Sequence, residues 1–304
     1  MVESYSFSSK PLYLTARDRY DVASIEKTKQ LRDVMFERFK RHISLLLEQK
    51  KSRKVAGRKG FLNPRALHKY RFSDNVFQKR ITYPSSDTTI LFLIDGSGSM
   101  ASNVNTPVGH IPAIQMCGAV ASAFAKANHL VLKNKIPIEV FLKSAPVSSS
   151  PDLTGTDNGH LVTLTRLYSS KSGYRDSDKL CSLTCHSPIT DSEGRSVGSY
   201  TSEYAVLPAL NKWIKKNVKT KKCIVFNLTD GETFCTLGSD GYQFRNNDTK
   251  AMRLKYLRGI PNMTLMISDG HNKSELSEVY GENVMAASED FSGALFKTFA
   301  GFLD

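Results

Sequence analysis

A doubly wound α/β fold, a mainly parallel sheet flanked by helices, is the class this sequence predicts, and three observations predict it. TTILFLID at 88–95 is a continuous apolar run of strand length, the pattern of a strand buried on both faces. A second such run, KKCIVFNLTD at 221–230, ends like the first in an aspartate. Around them strand-like and helix-like stretches alternate, which is how parallel strands and their crossover helices are laid out along a chain. The composition agrees, since 40% hydrophobic residues and 10% aromatics in 304 residues suffice for one large core and exclude collagen-like or wholly disordered chains.

The first element is a helix at about 24–51, where Ile25, Leu31, Met35, Phe39, Ile43, Leu46 and Leu47 recur at helical spacing. Its other faces carry Lys27, Lys29, Arg32, Arg38, Lys40 and Arg41. KKSRKVAGRKG, at 50–60, reads as a basic loop that is mobile unless an anion holds it. A short helix entered at Asn63-Pro64 follows, then an extended piece offering Phe72, Val76, Phe77 and Ile81 to a core. After the first buried strand come an Ala-rich helix at 112–128, strands at 137–143 and 160–170, and a helix at 202–217. The second buried strand leads to a helix near 250–257, a strand at 263–270 and a closing helix at 290–303. The polar stretches 144–159 and 171–200 exceed ordinary connections and read as functional loops, the second overhanging the strand ends.

The formal net charge of +13 is unevenly spread: residues 1–84 hold 20 Lys and Arg against 8 Asp and Glu, and residues 85–304 hold 22 against 21. The chain therefore divides into a basic, mostly helical segment at 1–84 and a nearly neutral domain at 85–304. No apolar run reaches the roughly 18 residues of a membrane span, and the start lacks the apolar core of an export signal, so a cytoplasmic protein is expected. The five cysteines, odd in number and scattered, are expected to be reduced. Cys181, Cys185 and His186 lie close together, but a structural zinc site needs a second pair, and buried thiols are the plainer reading.

Chemistry concentrates at the ends of the two buried strands. The first ends in Asp95-Gly-Ser97-Gly-Ser99, the later one in Asp230 of LTDGE, and Thr201 stands just before a helix between them. In open sheets of this class ligands bind beyond the carboxyl ends of the strands. Hydroxyls and carboxylates, with no nitrogen or sulfur, form a hard oxygen set that suits Mg2+ or Mn2+. Residues two apart in a tight loop aim at one point, and Gly96 and Gly98 are expected to let the backbone turn without a Cβ clash. Two carboxylates on a divalent ion leave an electrophilic position for a carboxylate supplied by a partner. Neither serine sits in G-x-S-x-G, there is no G-x-x-x-x-G-K-S/T, and an EF-hand loop would need more acids.

FLIDGSGSM, the threonine of SYTSEYAV, and LTDGE together resemble the metal-ion-dependent adhesion site of von Willebrand factor A (vWA) domains, which have a Rossmann-like fold. The resemblance implies that Ser97 and Ser99 hold the ion directly, and that Thr201, Asp95 and Asp230 do so directly or through water; Ser199 and Ser202 rival Thr201. A narrower resemblance covers most of the chain. GFLNPRALHKYRFSDNVFQKR, EVFLK, LYSSKSGYRDSD, TSEYAVLPAL and ISDGHNKSELSEVYGENVMAASEDFSGALFKTFAGFL are similar to the carboxyl-terminal part of the CobT subunit of aerobic cobaltochelatase and to small phage proteins like it. That family implies an adaptor on a hexameric, CobS-like AAA+ ATPase. The chain departs from it in lacking the long acidic stretch and in having a basic amino-terminal part, which favours the adaptor role over metal insertion into a corrin.

Two functions of different class follow. The first is a metal-dependent module that captures a carboxylate on a protein partner, with no catalytic base at hand: His110 and His271 alone among the histidines stand on loops that could approach. The second is a nonspecific nucleic-acid binder using residues 1–84, with the domain as scaffold, because clustered Lys and Arg gain phosphate affinity by releasing counterions.

Overall fold

The computed structural model describes residues 22–50, 54–57, 61–62, 77–80, 88–134, 136–146, 163–183, 199–200, 203–230, 235–237, 242–244, 246–267, 273–280 and 284–286. In chain order the elements are α1 (Val22–Lys50), β1 (Lys54–Gly57), β2 (Phe61–Leu62), β3 (Phe77–Arg80), β4 (Thr88–Asp95), β5 (Asn103–Thr106), β6 (Gly109–Pro112), α2 (Ala113–Leu130), β7 (Ile138–Pro146) and β8 (Thr163–Ser169). They continue with β9 (Ser199–Tyr200), α3 (Glu203–Asn217), β10 (Lys222–Thr229), β11 (Cys235–Leu237), β12 (Tyr242–Phe244), α4 (Asn246–Tyr256), β13 (Asn262–Met266), α5 (Lys273–Tyr280) and β14 (Val284–Ala286).

β4 is the keystone, and every residue from Thr88 to Asp95 is buried. The main sheet runs β14-β13-β10-β4-β7-β8, and each neighbouring pair from β14 to β7 is parallel. β8 closes one edge antiparallel to β7, and β9 pairs antiparallel with the last residues of β7. Side chains alternate across β4 as the pleat requires. Ile90, Phe92 and Ile94 join the apolar cluster that contains α1 and α2, while Leu91 and Leu93 join the cluster of α3, with Leu257 just past α4. Helices thus cover both faces of a mostly parallel sheet, an α/β arrangement of the doubly wound kind.

α2 is buried on nearly every side because it lies between the sheet, α1 and the 3-10 segment Tyr174–Ser182. Its small residues permit this. At Gly118 an added Cβ would collide with the backbone carbonyl of Leu180. α1 packs on α2 through Leu31, Met35, Phe36 and Phe39, and the Phe39 ring lies 4.5 Å from that of Phe124. Ser24 and Thr28 each donate a hydroxyl hydrogen bond to Gln115 Oε1, at 2.6 and 2.9 Å. α1, within the basic amino-terminal segment, is therefore held against the domain by an apolar and hydrogen-bonded face.

Several elements differ from expectation. Part of the loop at 50–60 is β1, which pairs with β3, itself flanked by β2. β5 and β6 form a hairpin between the serine motif and α2, and the stretch 171–200 contributes the 3-10 segment. The helices expected after Asn63-Pro64 and at 290–303 lie outside the described residues. Among the described residues, no helix is long and apolar enough to cross a membrane.

Candidate functional site

The parallel strands β4 and β10 end level with Lys143 of β7, because Asp95 pairs with Lys143 and Ile94 with Leu228, while β7 runs on to Pro146. This register brings Thr229 alongside Asp95 and places Asp230 at the same edge, just past β10. Asp95 is fully buried. Its Oδ1 accepts the Ser97 backbone N–H at 2.9 Å, and its Oδ2 accepts the Thr229 hydroxyl at 2.6 Å. The backbone turns out of β4 through Gly96, whose N–H donates to Lys143 O at 2.9 Å, into a 3-10 turn at Gly98–Ala101. Ser97 Oγ and Ser99 Oγ come within 3.0 Å of each other. Ser97 is buried, Ser99 half-buried and Gly98 exposed, so the hydroxyl pair sits at the rim of the edge. Asp230 is buried.

Of the five sequence-predicted residues, Asp95, Ser97 and Ser99 converge and Asp230 stands at the adjoining strand end. Thr201 lies outside the described residues, as do Ser202 and His271; Tyr200 ends β9, and α3 begins at Glu203. His110 is exposed on β6. Of the two motif glycines, Gly96 avoids a Cβ clash as expected and Gly98 does not need to. Neither has a positive φ. A Cβ at Gly96 would press on Lys143 O at 3.0 Å, whereas one at Gly98 would meet nothing within 4 Å. Close strand approach explains the first glycine; no clash explains the second.

Two residues of the site escaped sequence reasoning. Lys143 is fully buried with its Nζ 3.6 Å from Asp95 Oδ2, an ion pair at the strand ends. Thr229 is the hydroxyl that orients Asp95. A charged residue closing the apolar run of EVFLK, opposite an aspartate closing another, was the available signal for Lys143. Asn227 lies on the same sheet face, one pleat further in. It is 1% exposed, and neither its amide nitrogen nor its oxygen has a hydrogen-bond partner. The hydroxyl of Thr264, its partner in register on β13, is also buried without one.

The donor chemistry fits a hard divalent cation: two adjacent hydroxyls and Asp230 at the rim, backed by a carboxylate already held by an N–H and a hydroxyl. Lys143 opposes this, since its ammonium supplies positive charge to Asp95 from within. Among the described residues, no group of three or more His, Cys, Asp or Glu gathers as a metal site, at the serine motif or away from it. Cys185 and His186 lie outside them, and Cys181 is a buried thiol that burial pushes up to about 11, protonated at neutral pH.

No protein-family model matches the sequence, and no curated protein matches it. Among solved structures, the chain is similar to the pilus adhesin SpaC of Lactobacillus rhamnosus GG, with 16% sequence identity and a TM-score of 0.38. The match covers 71% of this chain and 30% of the adhesin chain.

Proposed function

We propose that the chain is a vWA-domain protein of the CobT-like kind, a non-catalytic adaptor that captures a partner's carboxylate through a divalent cation, Mg2+ or Mn2+. Ser97, Ser99 and Asp230 would hold the cation, with Thr201 completing the set and Asp95 aligning the serine loop. When bound, the cation supplies an electrophilic position open to a carboxylate from outside. The partner in this reading is a CobS- or MoxR-like AAA+ ATPase, in a chelatase-like or remodelling complex. The observation that carries the reading is the Ser97–Ser99 hydroxyl pair, aimed together at the carboxyl edge of the sheet above a buried, doubly hydrogen-bonded aspartate.

The test is capture of such an ATPase by the full chain with Mg2+ or with EDTA. The Ser97→Ala/Ser99→Ala variant is the control, because Asp95→Ala would strand the buried Lys143 ammonium and endanger the fold. Capture that needs Mg2+ and both serines supports the reading. Capture indifferent to both sinks it.

A further inference from the structure

The domain is neutral by count but not by place. From Lys212 to Lys222 the sequence KWIKKNVKTKK holds six lysines and no acid, and all six are exposed. They occupy the end of α3 and the turn into β10, so they cluster at the amino edge of the sheet. The serine motif lies at the opposite edge, one eight-residue strand away, or about 25 Å. Lys215, Lys216, Lys219 and Lys221 make no ion pair among the described residues.

Of the six lysines, Lys215, Lys221 and Lys222 line a cleft of ≈ 570 Å³. Its lining includes Ile214, Val218, Ile260 and Pro261, with Lys215 and Lys221 also contributing. The turn that carries Lys221 is pinned, because the Thr220 hydroxyl is 2.7 Å from that of Thr89 at the start of β4 and donates to Lys222 O at 2.8 Å. On the other side Gly259, at φ 76°, turns the chain from α4 into Ile260 and Pro261. The cleft is thus built from two fixed turns, and its apolar lining lies beside Lys215 and Lys221, which make no ion pair among the described residues.

We infer that this edge is a second docking surface, for an acidic protein segment that also carries apolar side chains. Charge complementarity selects the acid, and the aliphatic lining selects the apolar groups. Nucleic acid fits less well. Single strands are held by aromatic stacking, and no lining residue is aromatic. The nearby Trp213 is engaged with Phe141 instead, edge to face at 4.9 Å. The surface is separate from the serine motif and needs no cation.

The test is fluorescence anisotropy on the full chain in EDTA, which silences any metal-dependent binding, so that failure here is distinct from failure of the adaptor reading. The probes are a labelled peptide of Glu and Leu, an all-Glu peptide, and duplex DNA of equal charge. The Glu/Leu peptide is expected to bind best. Lys215→Glu/Lys219→Glu/Lys221→Glu, all surface changes, should weaken it about tenfold or more. Ile260→Asp should weaken the Glu/Leu peptide several-fold more than the all-Glu peptide. No binding of the Glu/Leu peptide overturns the inference, as does affinity unchanged in the triple variant, which would place binding on the basic amino-terminal segment. DNA binding that is tighter and lost in the same variant assigns the edge to nucleic acid instead.

Discussion

Lys143 and Asp95 form a fully buried ion pair, and such pairs punish the loss of one partner more than they reward the presence of both. Lys143→Met should therefore destabilise the metal-free chain by about 3 kcal/mol. It should also remove a positive charge from beside the candidate cation site. Mg2+ or Mn2+ is then expected to raise the melting temperature of the variant more than that of the wild type; an equal or smaller rise contradicts a shared electrostatic site. Glu139 tests burial of charge elsewhere. Burial pushes its carboxyl above the usual range, opposed by the Ser169 hydroxyl hydrogen bond and by Arg166 and Lys171. An acid whose folded pKa is raised holds its proton longer in the native state, so its burden on stability grows as pH rises through that pKa. Glu139→Gln should accordingly raise the melting temperature at about pH 8 and lose that gain at about pH 4. At this scale Asp95, Ser97 and Ser99 were legible because their spacing is local. Lys143, Thr229 and the orphaned Asn227 were not, because each matters only through its register with a strand distant in sequence.

Among elements, α1 is the one whose role the charge pattern obscured. Its lysines and arginines read as the face of an attachment, yet Phe39 is fully buried and Arg32 reaches Asp178 of the 3-10 segment at 2.5 Å. Asp33 binds both Arg32 and Lys126, which hold its carboxyl below the usual range although burial opposes them. Phe39→Ala should cost about 3–5 kcal/mol in a denaturant titration followed by a signal from the sheet. A loss near zero would mean that α1 is dispensable to the core. Gly118→Ala offers the converse check on α2. Helix propensity alone predicts a gain of up to about 1 kcal/mol, whereas collision with the Leu180 carbonyl predicts a loss, so the sign of the measured change decides. β4 and β10 were legible because each is a long apolar run. β1 and β3, KVAG and FQKR, were not, because four residues each carry neither a clear alternation nor enough length. The antiparallel direction of β8 was likewise invisible, since strand direction leaves no mark on a local pattern.

For the whole molecule, the formal charge of +13 resolves into unlike surfaces rather than one property. One edge of the sheet presents hydroxyls and carboxylates, the other presents lysines around an apolar cleft, and α1 carries further positive charge across one face of the domain. An α/β sheet suits this, because its strands set the two edges a fixed distance apart while leaving the loops at each free to carry different chemistry. The proposed cation at the carboxyl edge would be held through the serine pair. The most direct measurement is calorimetric titration of Mn2+ and Mg2+ into the full chain, beside Ser97→Ala/Ser99→Ala, whose stability should stay within about 1 kcal/mol of the wild type. Saturable binding to one site, lost in the double variant, is the predicted result. Absence of binding, or binding that the two alanines leave unchanged, would contradict it.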